Sequence, residues 1–193
     1  AKQVSGKPLV IHVHATDFDR SRGNVNPTVY AIEKNGMDNA DHIMCVSELT
    51  RQTVIHKYFQ DPKKVSTVHN AVSPLSQEIQ DIVPQKNPSE KVVTMPSVSE
   101  PFGISPLEAM QCSVPSIISK QSGCAEILDK CIKTDYWDIH AMADAIYSIC
   151  TYPAMYEYLK EEGKKEVDEI KWENVGYKVR GIYDEVIKNY GKQ

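Results

Sequence analysis

Glu100 and Glu108 are the residues whose types and spacing point most directly to chemistry. They bound the run Glu100-Pro-Phe-Gly-Ile-Ser-Pro-Leu-Glu108, which follows an apolar, extended segment containing Val92, Val93, Met95 and Val98. Ser105, Pro106 and Glu108 read as a helix start, with Ser at the N-cap, Pro at N1 and Glu at N3. A helix N-terminus presents free N–H groups and partial positive charge, which suits an anion. Carboxylates repel phosphate but accept hydrogen bonds from sugar hydroxyls. Together these features suggest a ligand carrying both phosphate and hydroxyls. Two readings of Glu108 stay open: a ligand contact, or the closing residue of a Ser-x-x-Glu capping box. Glu100 stands at a strand exit before Pro and Phe, where a carboxylate has no evident structural task. Strand exits are where α/β folds bind ligands.

A second group lies near the start of the chain. His12 and His14 are two apart, so a regular strand points both to one face. With Asp17 and Asp19 nearby they invite a metal-hydrolase reading, but such a barrel needs about 250 residues. The chain has 193. His42, His56, His69 and His140 show no metal-ligand spacing, so no metal site is expected. His14 ends a strand and reads either as a ligand contact or as an ordinary loop histidine. Asn70 ends another strand and either meets ligand or braces a turn. Gly123 serves a turn or a close backbone approach.

These residues need elements to position them. Lys7–Val13 reads as a buried strand, followed by a polar, Gly-containing loop over 15–24 that includes Arg20 and Arg22. Pro27–Asn35 is helix-like, with Gly36 near its end. His42–Val46 is a second strand, and Ser47 caps a helix through about Phe59. Val65–Val68 is a third strand. This β-α-β alternation predicts a parallel sheet. Residues 73–90, rich in Pro, Gln, Ser and Lys, read as a linker. Apolar character resumes over Lys91–Val98, Val114–Ser119 is another strand, and Gln121–Glu126 is a loop into a helix. The remainder reads as helical: Ile139–Thr151, Pro153 to about Val167, and a long terminal helix. Trp172, Val175, Val179, Ile182, Val186 and Tyr190 give that last helix one apolar face.

The totals narrow the function classes. Hydrophobic residues make up 41% and charged residues 25%, with a net charge of −4, which is ordinary for a globular protein. No basic excess points to nucleic acid or an anionic membrane, so a phosphate ligand must be held by local geometry. Five cysteines, odd in number and without a CxxC pair, fit reduced thiols better than a disulfide framework. No signal peptide or membrane-spanning run is evident, and a cytoplasmic location is expected.

Taken together these segments resemble the retaining group-1 glycosyltransferases, particularly the glycogen and starch synthase branch. Glu100-Pro-Phe-Gly-Ile-Ser-Pro-Leu-Glu108-Ala-Met110 is similar to that family's E-x7-E motif in spacing and intervening residues. His14-Ala-Thr-Asp-Phe-Asp-Arg20, Ala40-Asp-His-Ile-Met-Cys-Val-Ser47, Val68-His-Asn70-Ala-Val72, Ser122-Gly-Cys-Ala-Glu126 and Trp172-Glu-Asn-Val175 add further matches over most of the chain. The resemblance implies the GT-B fold, two Rossmann-like lobes facing a cleft, with nucleotide sugar mainly on the second lobe and acceptor on the first. It assigns Glu100 to the donor sugar and to charge developing at the anomeric carbon, and Glu108 to the ribose hydroxyls. Backbone N–H groups of Phe102, Gly103 and Ile104 would approach sugar or phosphate. His14 would reach the transferred sugar, Asn70 would line the cleft, and Gly123 would admit the ligand closely. No metal or cofactor is implied beyond a nucleotide sugar such as UDP-glucose or ADP-glucose as co-substrate, with a saccharide or glucan as acceptor.

In its second lobe the chain departs from that pattern. The family's diphosphate-binding Gly-Arg…Lys-Gly segment should follow the first strand of the second lobe, but Val92-Val-Thr94 runs straight into Met95-Pro-Ser-Val-Ser-Glu100. About three βα units of roughly 30 residues are expected to be absent there, as by an internal deletion. Lys120 is the nearest replacement cation and matches no motif. The expected architecture is therefore α/β, as two partial Rossmann-like lobes: residues 1–73 as part of an acceptor-side lobe, 74–90 as linker, and 91–193 as a shortened nucleotide-sugar lobe with terminal helices. The expected activity is transfer of a hexose, glucose in the first instance, from a nucleotide sugar to a glucan or related saccharide. The rival readings are a non-catalytic nucleotide- or saccharide-binding relic and a sugar-nucleotide epimerase.

Overall fold

The computed structural model describes residues 2–21, 23–74 and 92–190. The expected linker, apart from Pro74, and Arg22 lie outside the described residues. The chain divides into two compact units, Ala1–Asn70 with Glu173–Gln193, and Ala71–Trp172.

The first unit opens with a short helix α1 (Lys2–Ser5) and strand β1 (Val10–Val13). A one-turn helix α2 (Asp17–Arg20) occupies the expected loop. It forms because the Asp19 carboxylate accepts from the backbone N–H and the hydroxyl of Thr16, at 2.8 and 2.9 Å. Helix α3 (Pro27–Asn39) starts with Asn26 accepting from the N–H groups of Thr28 and Val29, as an N-cap does. It runs through Gly36 instead of ending there. Strand β2 (His42–Cys45) and helix α4 (Glu48–Lys57) follow, with Ser47 capping α4 as expected. A 3-10 turn at Pro62–Lys64 leads into strand β3 (Val65–Thr67). The strands form a parallel sheet in the order β1-β2-β3. Ile43, Cys45, Val54, Tyr58 and Val65 build its buried core.

The second unit contains strand β4 (Val93–Met95), helix α5 (Ser105–Gln111) and strand β5 (Ser116–Ser119). The helix expected after Gln121 is only a 3-10 turn, Gly123–Glu126. Strand β6 (Ile132–Thr134) lies where helix was expected. Three residues are too few to show an alternating pattern, so only pairing with β5 reveals it. Helices α6 (Ile139–Thr151) and α7 (Pro153–Asp168) complete the unit. The sheet is again parallel, in the order β4-β5-β6. All four residues of β5 are buried, as befits the middle strand of a sheet covered by helices. Ile117 packs with Ala145, Ile149, Tyr156 and Leu159 of α6 and α7.

The terminal helix α8 (Trp172–Tyr190) departs from the expected grouping of 91–193, because Glu173 onward belongs with the first unit. Its Val186 is buried, and Glu185, Val186 and Tyr190 line a depression with Asp41, His42 and Lys64. An apolar stripe shows that a helix face is covered, but not by which unit. The α/β architecture with two parallel sheets and a helical C-terminus stands as expected.

Candidate functional site

In a parallel α/β unit, the loops leaving the carboxyl ends of the strands share one end of the sheet. In the second unit these are 96–104 after β4, 120–126 after β5 and 135–138 after β6. Backbone hydrogen bonds bind the first two loops together. Glu100 N donates to Gln121 O at 3.2 Å, Gly123 N to Glu100 O at 2.9 Å, and Cys124 N to Phe102 O at 2.7 Å. An isolated parallel bridge pairs Glu100 with Ser122. Glu100 and Phe102 are thereby joined to the Gly123 loop, which follows a different strand.

Gly103 has φ +85°, a conformation that L side chains rarely adopt. A Cβ there would stand 2.9 Å from Met95 Cε and 3.0 Å from Glu100 Cγ. Only glycine fits this turn without displacing the side chains beside Glu100. Phe102 is buried, whereas Ile104 is exposed.

The helix start differs from the expected one. Ile104 is the N-cap of α5, no side chain caps the helix, and Ser105 is already helical. Glu108 N bonds to Ile104 O at 3.1 Å, and the Glu108 side chain is exposed. The capping-box reading of Glu108 is thus overturned. The physical reason is a one-residue shift of the first turn, which moves Glu108 past N3 and away from the cap N–H.

The loop after β6 joins the same network, which the sequence reading missed. Gln121 Nε2 donates to Asp135 Oδ1 at 3.0 Å, and Lys120 Nζ pairs with Asp135 Oδ2 at 3.0 Å. These bonds, from Gln121 first and Lys120 second, hold the Asp135 carboxyl below the usual carboxylate range. Tyr136 and Trp137 meet edge to face beside it, with ring centroids 4.7 Å apart. Recognising β6 would have exposed this loop, since every strand exit of a parallel sheet faces the same end.

In the first unit His14 lies just past β1 and is exposed. Its ring is 4.3 Å from that of His12, centroid to centroid, so the expected shared face exists. Burial, and then the neighbouring His14, lower the pKa of His12. His12 Nε2 is buried without a hydrogen-bond partner. The two rings line an open depression of about 350 Å³ with Arg20 of α2 and Glu33 of α3. Glu33 accepts from the Tyr58 hydroxyl and from Asp17 N. Asp17 also accepts from Asn26 N at 2.7 Å. Asp17 and Asp19 are thus engaged in building α2 and the entry to α3. Among the described residues no group of three His, Cys, Asp or Glu side chains could hold a metal ion. Asn70 lies beyond β3, buried, with its Oδ1 unpartnered.

Two family models match successive parts of the chain. A family model for glycosyl transferases group 1 matches residues 76–166, and one for glycosyltransferase family 4 matches residues 1–74. The uncharacterized glycosyltransferase MJ1607 of Methanocaldococcus jannaschii is 29% identical over 109 residues, 54% of this chain. The match spans only 28% of that relative's length. Sucrose-phosphate synthase from Thermosynechococcus elongatus aligns at TM-score 0.73 with 16% identity, over 93% of this chain and 68% of that one. Anabaena HepE, solved in complex with UDP and glucose, aligns at TM-score 0.74 with 13% identity, over 95% of this chain and 73% of its own. At such identities the likeness speaks for the fold. With two parallel α/β units, each matched by a glycosyltransferase family model, the chain belongs to the group-1 glycosyltransferases and has their GT-B type of fold.

Proposed function

We propose that this chain serves retaining transfer of a hexose, glucose in the first instance, from a nucleotide sugar to a saccharide or glucan acceptor. The observation that carries the reading is the joining of the Glu100 and Gly123 loops by three backbone hydrogen bonds, with Glu108 exposed and free of a capping role. Two carboxylates then flank a glycine-shaped surface at the carboxyl end of a parallel sheet, where a ligand rich in hydroxyls is best received.

In this reading Glu100 holds the donor sugar and offsets positive charge as the anomeric carbon loses its leaving group. Electrostatic stabilisation of developing charge is usually the largest contribution to such a step. Glu108 accepts from the ribose hydroxyls. The N–H groups of Phe102, Gly103 and Ile104 face sugar or phosphate, and Gly123 permits close approach. By the family likeness, His14 is assigned to hydroxyls of the transferred sugar and Asn70 to the lining of the site. The departing diphosphate assists deprotonation of the acceptor hydroxyl, so the new bond forms on the face the leaving group vacates. HepE was solved with UDP and glucose, which supports a nucleotide-sugar donor here. The glycogen and starch synthase-like branch rests on the motif likeness.

The test incubates the chain with UDP-glucose or ADP-glucose and a glucan primer and follows release of nucleoside diphosphate. Release that disappears in Glu100→Ala supports the assignment. Nucleotide binding without release identifies a binding-only relic. Absence of both release and calorimetric binding refutes the reading.

A further inference from the structure

A nucleotide sugar brings a diphosphate, and its binding site needs positive charge. The three loops at the carboxyl end of the second unit's sheet, 96–104, 120–126 and 135–138, contain a single Lys or Arg: Lys120. It directly follows β5, and its backbone N–H bonds to Thr134 O at 2.8 Å. The next residue, Gln121, receives the Glu100 N–H through its carbonyl. Lys120 is therefore fixed at its backbone to the middle strand exit, beside the loop that carries Glu100.

Its side chain is about half exposed, at 53%, and pairs with the Asp135 carboxylate. Exposed ion pairs of this kind are weak and exchange readily. Asp135 does not depend on Lys120 alone, because Gln121 Nε2 holds its other oxygen. An incoming phosphate can thus take Lys120 while Gln121 keeps the carboxylate back. Lys133 of β6, paired with Asp129, and Lys160 of α7, paired with Glu157, lie outside these loops.

We infer that Lys120 is the cation that positions the donor's diphosphate, exchanging Asp135 for phosphate when the nucleotide binds. The inference rests on the proposed nucleotide-sugar function and adds a residue to its site. The ammonium is a compact, strongly hydrated point charge with three donors, suited to phosphate without bidentate geometry. Asp135 acts as its resting counter-ion and competes with the ligand.

Calorimetric titrations of the full chain with UDP and ADP, and with uridine and adenosine, test the assignment. Lys120→Met should weaken diphosphate binding by about tenfold while leaving nucleoside binding unchanged, and Lys120→Arg should stay within about threefold of the parent. Asp135→Asn, which removes the competitor, should tighten diphosphate binding. Equal weakening of nucleoside and diphosphate by Lys120→Met would reveal a structural role and overturn the inference. So would unchanged UDP and ADP binding in that variant, with the nucleotide-sugar function left standing. If the parent chain binds none of these ligands, the function itself fails and takes the inference with it. Thermal melts by circular dichroism confirm that each variant is folded.

Discussion

Gly103→Ala should both destabilise the second unit and damage the proposed donor site. The residue sits at φ +85°, where an L side chain costs about 1–2 kcal/mol. The new methyl would lie 2.9 Å from Met95 Cε and 3.0 Å from both Met95 Sδ and Glu100 Cγ. Met95 can swing aside, but an off-rotamer side chain costs about a further 0.5–1.5 kcal/mol. The combined loss is about 2–3 kcal/mol, or a fall in melting temperature of about 4–12 °C for a chain of this size. Gly23→Ala is the control. Gly23 has a similar φ, +87°, with nothing within 4 Å of its ideal Cβ, so it should show the backbone cost alone. The assays are thermal denaturation and UDP-glucose titration. Gly103→Ala should melt below Gly23→Ala and bind donor more weakly, because its methyl displaces Glu100. Equal melting of the two variants, with donor affinity unchanged in Gly103→Ala, would refute the argument from close packing.

Two further predictions concern the first unit. Gly176 and Gly181 lie inside α8 with nothing near their ideal Cβ positions. Each Gly→Ala change should raise stability by about 0.5–1 kcal/mol in denaturant unfolding, since alanine gives up less chain entropy; a loss would show crowding that the structure does not contain. Stability should also fall in two steps on acidification. Burial lowers the folded pKa of His12 and His42 below 6.5, so the unfolded chain takes up protons first as pH drops through that value. Asp41 is held below 3.8 because bonds from Lys2 and Leu9 N–H outweigh the opposing effect of burial. Its contribution is present above 3.8 and is lost as pH falls through the lower folded value. Asp41→Asn should cost about 1–2 kcal/mol at pH 7 and flatten the acid limb of a melting-temperature profile; an unchanged limb would place the acid sensitivity elsewhere.

Much of the architecture was legible because local chemistry and tertiary packing agree. Asn26 before Pro27 and Ser47 before α4 are side-chain caps, formed by residues adjacent in sequence to the helices they start. The buried β2 and β5 carry enough consecutive apolar character to be read as strands. Prediction failed where length or register carried the information. β6 is three residues long and is defined by its pairing with β5. The start of α5 shifted by one residue, and with it the meaning of Glu108. The one-turn helix α2 has the sequence of a loop, because its polar residues are also turn formers, and only the Thr16–Asp19 bonds decide between the two.

The sequence by itself determined the residue types of the candidate site and the family likeness, since both reside in a contiguous motif whose spacing survives without coordinates. It also identified the apolar face of the terminal helix. Only the tertiary structure decided which of those residues share a surface. Glu100 meets Gly123 through hydrogen bonds between loops that follow different strands, and Lys120 meets Asp135 across a third. Such contacts depend on strand order in the sheet, which is set by packing of the whole unit and has no local signature along the chain.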